Sequence, residues 1–384
     1  MSRLPRPCQL PLTMLTGKPE AGQRRLPLTP TAHLSAALAS TLTGLLVSGY
    51  ALGRGGWALL LILPGWAITL HGMRNLRMMV FHQCAHRNMW AKSRLDAAVG
   101  RMVAALLMVQ HFERYRSEHV ADHHARHHMT LRDPTVQAFL VSLELTPGMC
   151  RRDMWARMLG KIVSPKFHLA FLRARVLSYF HAASSLERVV TLGSMTAAGV
   201  ICSLVEGGWV FLVVAWLIPL TVLYQISNTL RLCVKHTFPP AGLHEGQRCG
   251  RNYFASLTNA IFVGEAAPSA SGAGPATLRS WIRWCARMTF IHFPSRYLVL
   301  TGDTVVHDFH HRRPMTRDWA NYIFAREDDV RAGHAGWPEY RHVWGLVAAI
   351  DTVFASLSAA DPDVFNRDRL AEVNHRDVFA AFDD

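Results

Sequence analysis

The sequence has few of the features that mark a soluble globular protein or a disulfide-bonded one. Only 18% of its 384 residues are charged, while half are hydrophobic. Its seven cysteines include no Cys-x-x-Cys pair, which excludes a cysteine zinc ribbon and indicates no disulfide framework. The first 30 residues lack the apolar core of a secretory signal peptide, and the chain contains no internal repeat. These absences favour a protein whose apolar blocks lie in a membrane.

The charge that is present is strongly positive. The chain carries 41 Lys and Arg residues against 27 Asp and Glu residues, a formal net charge of +14. Such a surface suits anionic lipid headgroups or nucleic acid. The long apolar runs favour lipid, so the bilayer is expected as a partner and nucleic acid is not.

Four uncharged apolar runs predict four transmembrane helices in two hairpins. The runs are separated by short turns, and each approaches the length of about 20 residues that a spanning helix needs. They lie at about residues 34–52, 57–73, 189–205 and 209–226. A further apolar run at 97–109 is too short to span and contains Arg101, which predicts a buried or re-entrant helix. The alternative is a soluble α-helical protein that buries all four runs.

The distribution of basic residues predicts the topology. The turns between the paired runs hold one of them, Arg54, whereas the others lie in the amino-terminal segment, between the hairpins and after the second hairpin. The positive-inside rule then places both termini in the cytoplasm. We therefore predict a flexible basic tail at residues 1–30 and a single all-α membrane domain at 31–384. Its cytoplasmic helical cap comprises 74–188 and 227–384.

Histidine is the most informative residue type, because the 21 histidines cluster in three motifs on the predicted cytoplasmic face. Spacings of three or four residues place side chains on one face of an α-helix, where two imidazoles can reach one metal ion. Two motifs contain three histidines each, which is rare by chance. The first box is HxxxH at His82 and His86, the second is HxxxHH at His119, His123 and His124, and the third is HxxHH at His307, His310 and His311.

Eight box histidines exceed the ligands of one metal ion and fit two. Imidazole binds Zn, Cu, Fe and Ni, so the ligand type alone does not select the metal. The competing interpretation of each histidine is a solvated basic patch, which we favour for isolated ones such as His334. His127 and His128 stay open, as further ligands or as supporting and surface groups.

The three boxes and their order resemble the membrane fatty acid desaturase superfamily. In that family the first box follows the first hairpin, the second precedes the second hairpin, and the third lies in the carboxyl-terminal cap. The resemblance covers roughly residues 35–315. Family members carry an extra ligand histidine just after the fourth membrane helix, and His236 occupies that place. The usual acidic residue before it is replaced by Lys235, and a common Glu in the first box is replaced by Gln83.

The resemblance implies a di-iron enzyme that uses O₂ as co-substrate. Asp122 and Asp308 are candidates to orient ligand rings. Because no cytochrome b5, ferredoxin or flavin domain is recognisable, electrons are expected from an external donor of ferredoxin, rubredoxin or cytochrome b5 type with its reductase. The implied metal ligands are His82, His86, His119, His123, His124, His236, His307, His310 and His311.

The expected activity is desaturation of a fatty acyl chain in the membrane. The alternative is hydroxylation of an alkane, sphingolipid, sterol or carotenoid by a similar site. A b-type cytochrome is disfavoured because the histidine pairs lie at or beyond the ends of the apolar runs. A metal transporter is disfavoured because the four runs hold only His71, near one end, among metal-binding side chains.

Overall fold

A computed structural model describes residues 4–243, 250–268 and 275–370, apart from the side chains of Asp122, Ala125 and Arg126. The described chain is mostly helical, as predicted. It divides into two compact units. The larger unit comprises Pro30–Leu232 and Leu357–Asp384, and the smaller unit comprises Met1–Thr29 and Cys233–Ser356. The prediction of one domain over 31–384 stays a prediction.

The larger unit is built from helices, several of which contain wider π-helical turns. Its α-helical and 3₁₀ segments are Pro30–Arg54, Gly56–Leu61, Ile62–Asn75, His82–Ala85, Ser93–Leu107, Phe112–Arg116, Pro134–Gln137, Arg151–Val163, Pro165–Ala182, Ser185–Leu204, Gly208–Phe211, Tyr224–Lys235 (which continues into the smaller unit) and Arg367–Leu370. Its π-helical segments are Leu76–Phe81, Ser117–Arg126, Ala138–Ser142, Leu212–Leu217 and Pro219–Leu223.

Pro30–Arg54 and the continuous helix Gly56–Ala85 form a closely packed pair. They are 25 and 30 residues long, and both are long and apolar enough to cross a membrane. Small residues allow the close approach, since a Cβ added at Gly44 would collide with Thr69 and one added at Gly72 would collide with Thr41. Helices packed in lipid commonly use small residues in this way. The first two predicted spans lie within this pair.

The second predicted hairpin is reproduced only in part. Gly208–Lys235 contains the fourth predicted span and is also long and apolar enough to cross a membrane. The helix at the third predicted span, Ser185–Leu204, is not among the candidate spans found in the described residues. Glu187 and Arg188 in its first turn lower its mean hydropathy. The helix otherwise exposes most of its surface, since Thr191 is its only buried residue. The described residues therefore contain three candidate spans, and the four-span topology stays a prediction.

One further pair of helices is apolar enough to be a broken span or a re-entrant loop. Ser93–Leu107 and Phe112–Ala121 meet at an angle of 114°. This pair includes the run at 97–109 that was predicted to be buried or re-entrant. Counted as one span, it would bring the candidate spans to four.

The smaller unit is also helical but contains one small parallel sheet. Strand Ala260–Phe262 pairs with His342–Trp344, with Ala260 opposite His342. The sheet is a minor departure from the all-α prediction. The remaining helical segments are Arg6–Thr16, Gly250–Ser256, Pro275–Arg287, Met288–His292, Ser295–Val299, Gly302–Val306, His307–Arg312, Arg317–Asn321, Tyr322–Arg331, His334–Gly336 and Leu346–Ser358 (which ends in the larger unit).

The amino-terminal segment differs from the flexible tail that its prolines and basic residues predict. It forms the helix Arg6–Thr16, whose Thr13 and Thr16 are buried. The Thr16 carbonyl accepts a hydrogen bond from the Val263 N–H at 3.0 Å. Two of its basic side chains pair with carboxylates of the smaller unit, Lys18 with Glu327 and Arg25 with Asp318. These long-range contacts fix the segment, and its local composition does not reveal them.

Candidate functional site

The first histidine box lies at the end of the long helix Gly56–Ala85. Its π-helical turn Leu76–Phe81 comes directly before the box. Both His82 and His86 are buried. The Nδ1 atom of His82 lies 3.2 Å from the Met78 carbonyl oxygen, which can only accept a hydrogen bond. Nδ1 therefore carries the proton, and Nε2 keeps the lone pair that a metal ligand needs.

The second box lies in the π-helix Ser117–Arg126 and not in an α-helix. A π-helix brings residues five apart onto one face, whereas an α-helix does so for residues three or four apart. His119 is accordingly paired with His124, with their Nε2 atoms 3.0 Å apart. His123 is paired with His128, with ring centroids 5.0 Å apart. His128 lies in the turn that follows the π-helix, and the five-residue spacing divides the consecutive residues His123 and His124 between two different pairs.

Four imidazoles from the two boxes converge in the larger unit. The Nε2 atom of His119 is central, at 2.8 Å from the Nε2 of His82 and 3.0 Å from the Nε2 of His124. The ring of His86 lies 5.1 Å from that of His119 between centroids. Each of the four residues offers a ring nitrogen within 4.8 Å of the other three. We call His82, His86, His119 and His124 the larger-unit cluster.

The donor set of this cluster fits a metal ion. A single proton on the Nε2 of His119 can form a hydrogen bond to only one of its two close neighbours. A cation bound at about 2.0–2.1 Å from each nitrogen holds donor atoms about 3 Å apart and satisfies all of them. Neutral imidazoles bind Fe, Zn, Cu and Ni, so the donor set admits iron without selecting it.

A buried carboxylate supports His123 next to this cluster. Both oxygens of Asp133 lie close to His123 Nδ1, at 3.0 and 3.1 Å, which directs Nε2 away as an acceptor. Asp133 also accepts backbone hydrogen bonds from Met129 and Thr135. Burial alone would raise the pKa of the Asp133 carboxyl, but His123, His128 and the Met129 N–H together hold that pKa below its ordinary value. Asp133 is therefore an ionised group that orients His123.

Three imidazoles converge in the smaller unit in a similar way. His236 follows the helix Tyr224–Lys235 and is held by a backbone bridge to Thr258. His307 and His311 lie one turn apart on the helix His307–Arg312. The Nε2 of His307 is 3.1 Å from that of His236 and 3.2 Å from that of His311. We call these three buried residues the smaller-unit cluster. Their ligand atoms lie within 4.8 Å of one another, which fits a metal ion by the same argument.

The acidic residues near the third box have roles that differ from those expected. Asp308 does not orient a histidine ring but forms a buried, two-pronged ion pair with Arg326 at 2.7–3.0 Å. The buried ring of His310 lies with Nδ1 3.9 Å from an oxygen of Asp303. The side chain of Asp122, the other predicted orienting group, lies outside the described residues. The carboxylate that does orient a ring, Asp133, was not among the predicted candidates.

Four other histidines differ in their burial and contacts. His128 is buried and donates from Nδ1 to the His123 carbonyl at 3.2 Å, whereas His127 is only half-buried. His292 lies beside Glu265, and His334 contacts the Trp337 carbonyl. Within the part of the chain that the structure describes, none of His127, His292 and His334 belongs to a potential metal-binding group of three side chains.

Comparison with known proteins gives one match. A family model described as fatty acid desaturase matches residues 55–266, which is more than half of the chain. The matched range contains the first two boxes and His236, and it ends before His307. No curated protein and no solved structure matches the chain significantly.

Proposed function

The chain belongs to the fatty acid desaturase family, and we propose that it is a lipid desaturase that introduces a C=C bond into an alkyl chain. Membership of this family makes the chain an oxidoreductase of the desaturase or hydroxylase type. The proposal adds the reaction, the class of substrate and the residues. A fatty acyl lipid is the substrate, O₂ is the co-substrate, and an external protein supplies the electrons.

The observation that carries the proposal is the repeated geometry of the histidine clusters. In each unit one central imidazole, His119 or His307, has the Nε2 atoms of two others within 3.2 Å. Each cluster is a donor set for one metal ion, so the chain has donors for two. We propose that both metals are iron and that the nine predicted histidines are their ligands.

Bound iron would supply an oxidant made from O₂, which an unactivated alkyl C–H bond requires because it has no acidic proton. The protein contributes neutral imidazole donors and fixes their orientation. Met78 holds the proton of His82 on Nδ1, and Asp133 does the same for His123. The cluster histidines are buried, apart from the half-buried His124, which limits the access of water.

The apolar helices and the family together indicate an integral membrane protein. We propose four spans, with Ser185–Leu204 as the third. The positive-inside rule supports cytoplasmic termini and a cytoplasmic site. The strongly basic composition supports docking of an acidic electron donor of ferredoxin, rubredoxin or cytochrome b5 type.

The experiment is lipid analysis after expression in a host that lacks the activity, combined with iron analysis of the purified protein. A new double bond, together with iron in the protein, supports the proposal. An incorporated oxygen atom without a double bond identifies a hydroxylase and refutes the desaturase reaction. His123→Ala and His310→Ala should insert into the membrane but give no product, whereas His334→Ala should resemble the wild type.

A further inference from the structure

A strongly cationic cavity of about 370 Å³ lies in the larger unit beside the first histidine box. Cys84, which stands between His82 and His86 in the sequence, forms part of its wall. The charged groups of the described lining are four arginines and one carboxylate. They are Arg87, Arg94, Arg101, Arg116 and Glu113.

The positive charge of the cavity is only partly compensated. Glu113 is shared by two arginines, at 2.8 Å from Arg101 and 3.5 Å from Arg116. Arg101 also approaches Glu187 at 3.8 Å. The exposed side chains of Arg87 and Arg94 form no ion pair with a carboxylate of the described residues. The cavity therefore offers an anion two guanidinium groups without such an ion pair and two more that share Glu113.

The helix that carries two of these arginines can form part of a re-entrant loop, and its two sides also differ in the way that those of a helix at a membrane surface do. Arg94 and Arg101 lie two turns apart on one side of Ser93–Leu107. The neighbouring side exposes Leu95, Met102 and Leu106, at 42%, 56% and 45% of their full surface. An amphipathic helix of this kind places its apolar side among acyl chains and its basic side at the level of the headgroups.

We propose that this cavity binds the phosphate of an anionic phospholipid whose acyl chains lie along Leu95, Met102 and Leu106. The planar guanidinium groups match phosphate oxygens in a two-pronged geometry. A recess holds a single headgroup, whereas a protein partner needs a broader surface. The inference does not depend on the desaturase reaction, because it concerns lipid binding and not turnover.

The test is native mass spectrometry of the purified full-length protein titrated with two lipids that share the same chains. Dioctanoyl phosphatidylglycerol carries the phosphate, and dioctanoylglycerol lacks it. We expect the phospholipid to bind more tightly. The double variant Arg87→Gln/Arg94→Gln should weaken its binding by about 10- to 30-fold, because each arginine near the headgroups contributes about 1 kcal/mol. Arg331→Gln, which removes an exposed arginine of the smaller unit, should have no effect.

Three results would overturn the proposal. The two lipids could bind equally. Inorganic phosphate could displace the phospholipid at equal concentration, which would indicate a simple anion site. The double variant could bind phospholipid like the wild type, and if it also lost binding to an acidic ferredoxin, the arginines would instead serve protein docking. If circular dichroism shows that the double variant is unfolded, the single variant Arg94→Gln is tested in its place by the same criteria.

Discussion

The two histidine clusters use the same chemistry but are supported differently. In each cluster, the Nε2 atom of one imidazole lies within 3.2 Å of the Nε2 atoms of two others. In the larger unit, the carboxylate of Asp133 bonds directly to the ring of His123, next to the cluster, and orients that ring. In the smaller unit, the carboxylate of Asp308 bonds to Arg326 and holds the helix that carries His307 and His311.

This difference shows two ways to fix a metal-binding imidazole. A carboxylate on Nδ1 sets the tautomer and direction of one ring. A buried ion pair on the same helix sets the position of all the ligands that the helix carries. The first arrangement affects metal affinity above all, and the second affects the stability of the fold. Four experiments test this distinction.

Removal of a central imidazole should have the largest effect and should be equal in the two clusters. His119→Ala and His307→Ala should each lower product formation more than about 100-fold, beyond the loss seen for groups that only support ligands. Each variant should also lose about half of its iron, measured by elemental analysis. His334→Ala is the control. Near-normal product and iron in either variant would show that its cluster binds no catalytic metal.

Arg326→Gln should separate stability from metal binding in the smaller unit. It leaves Asp308 buried without its charged partner, which costs about 3–5 kcal/mol of unfolding free energy. Unfolding in detergent, followed by circular dichroism, measures the loss. Arg331→Gln is the matched control, since its pair with Asp328 is 55% and 53% exposed and is worth about 0–1 kcal/mol. Similar losses in both variants would contradict the structural role of Asp308.

Asp133→Asn should weaken metal binding and lower the stability of the fold by a smaller factor. The amide oxygen can still cap the following helix by accepting from the Thr135 N–H, but the amide nitrogen replaces the oxygen that accepts from the Met129 N–H, and the negative charge beside His123 is lost. Groups in this position typically contribute 10- to 100-fold to metal affinity, so competition with a chelator should show a loss of about that size. Asp153→Asn, at an exposed carboxylate of the same unit, should leave the affinity unchanged. Unchanged affinity in Asp133→Asn would rule out this orienting role.

Comparison of His128→Ala with His127→Ala gives the smallest expected effect. His128 is buried against His123, so its loss should reduce iron affinity by a few fold. The half-buried His127 should be dispensable. Equal behaviour of the two variants in the chelator assay would mean that the pairing of His123 with His128 has no part in metal binding.

Much of the arrangement can be predicted from the spacing of the histidines. The boxes identify His82, His86, His119 and His124, which the structure brings together, and also His307 and His311. The α-helical spacing of the second box, however, predicts that His119 pairs with His123. The structure pairs His119 with His124 because the segment is π-helical. Tertiary packing decides whether this segment forms an α-helix or a π-helix. The spacing of the histidines therefore does not distinguish the two.

Long-range contacts explain the other departures. The role of Asp133 depends on a loop that returns its side chain to His123, ten residues earlier. The order of the amino-terminal segment depends on partners such as Glu327, which lies 309 residues away. Neither contact has a local signal. The apolar runs, in contrast, carry their own signal, and all four coincide with helices.

The π-helix also limits how the length of the second box can vary. The pairs His119–His124 and His123–His128 are each separated by five residues, so both depend on the number of residues between their members. An insertion or deletion of a single codon between His119 and His128 would change the spacing of at least one pair and rotate the later imidazoles relative to His119. Natural or engineered variants should therefore tolerate substitutions there more readily than any change in the number of residues.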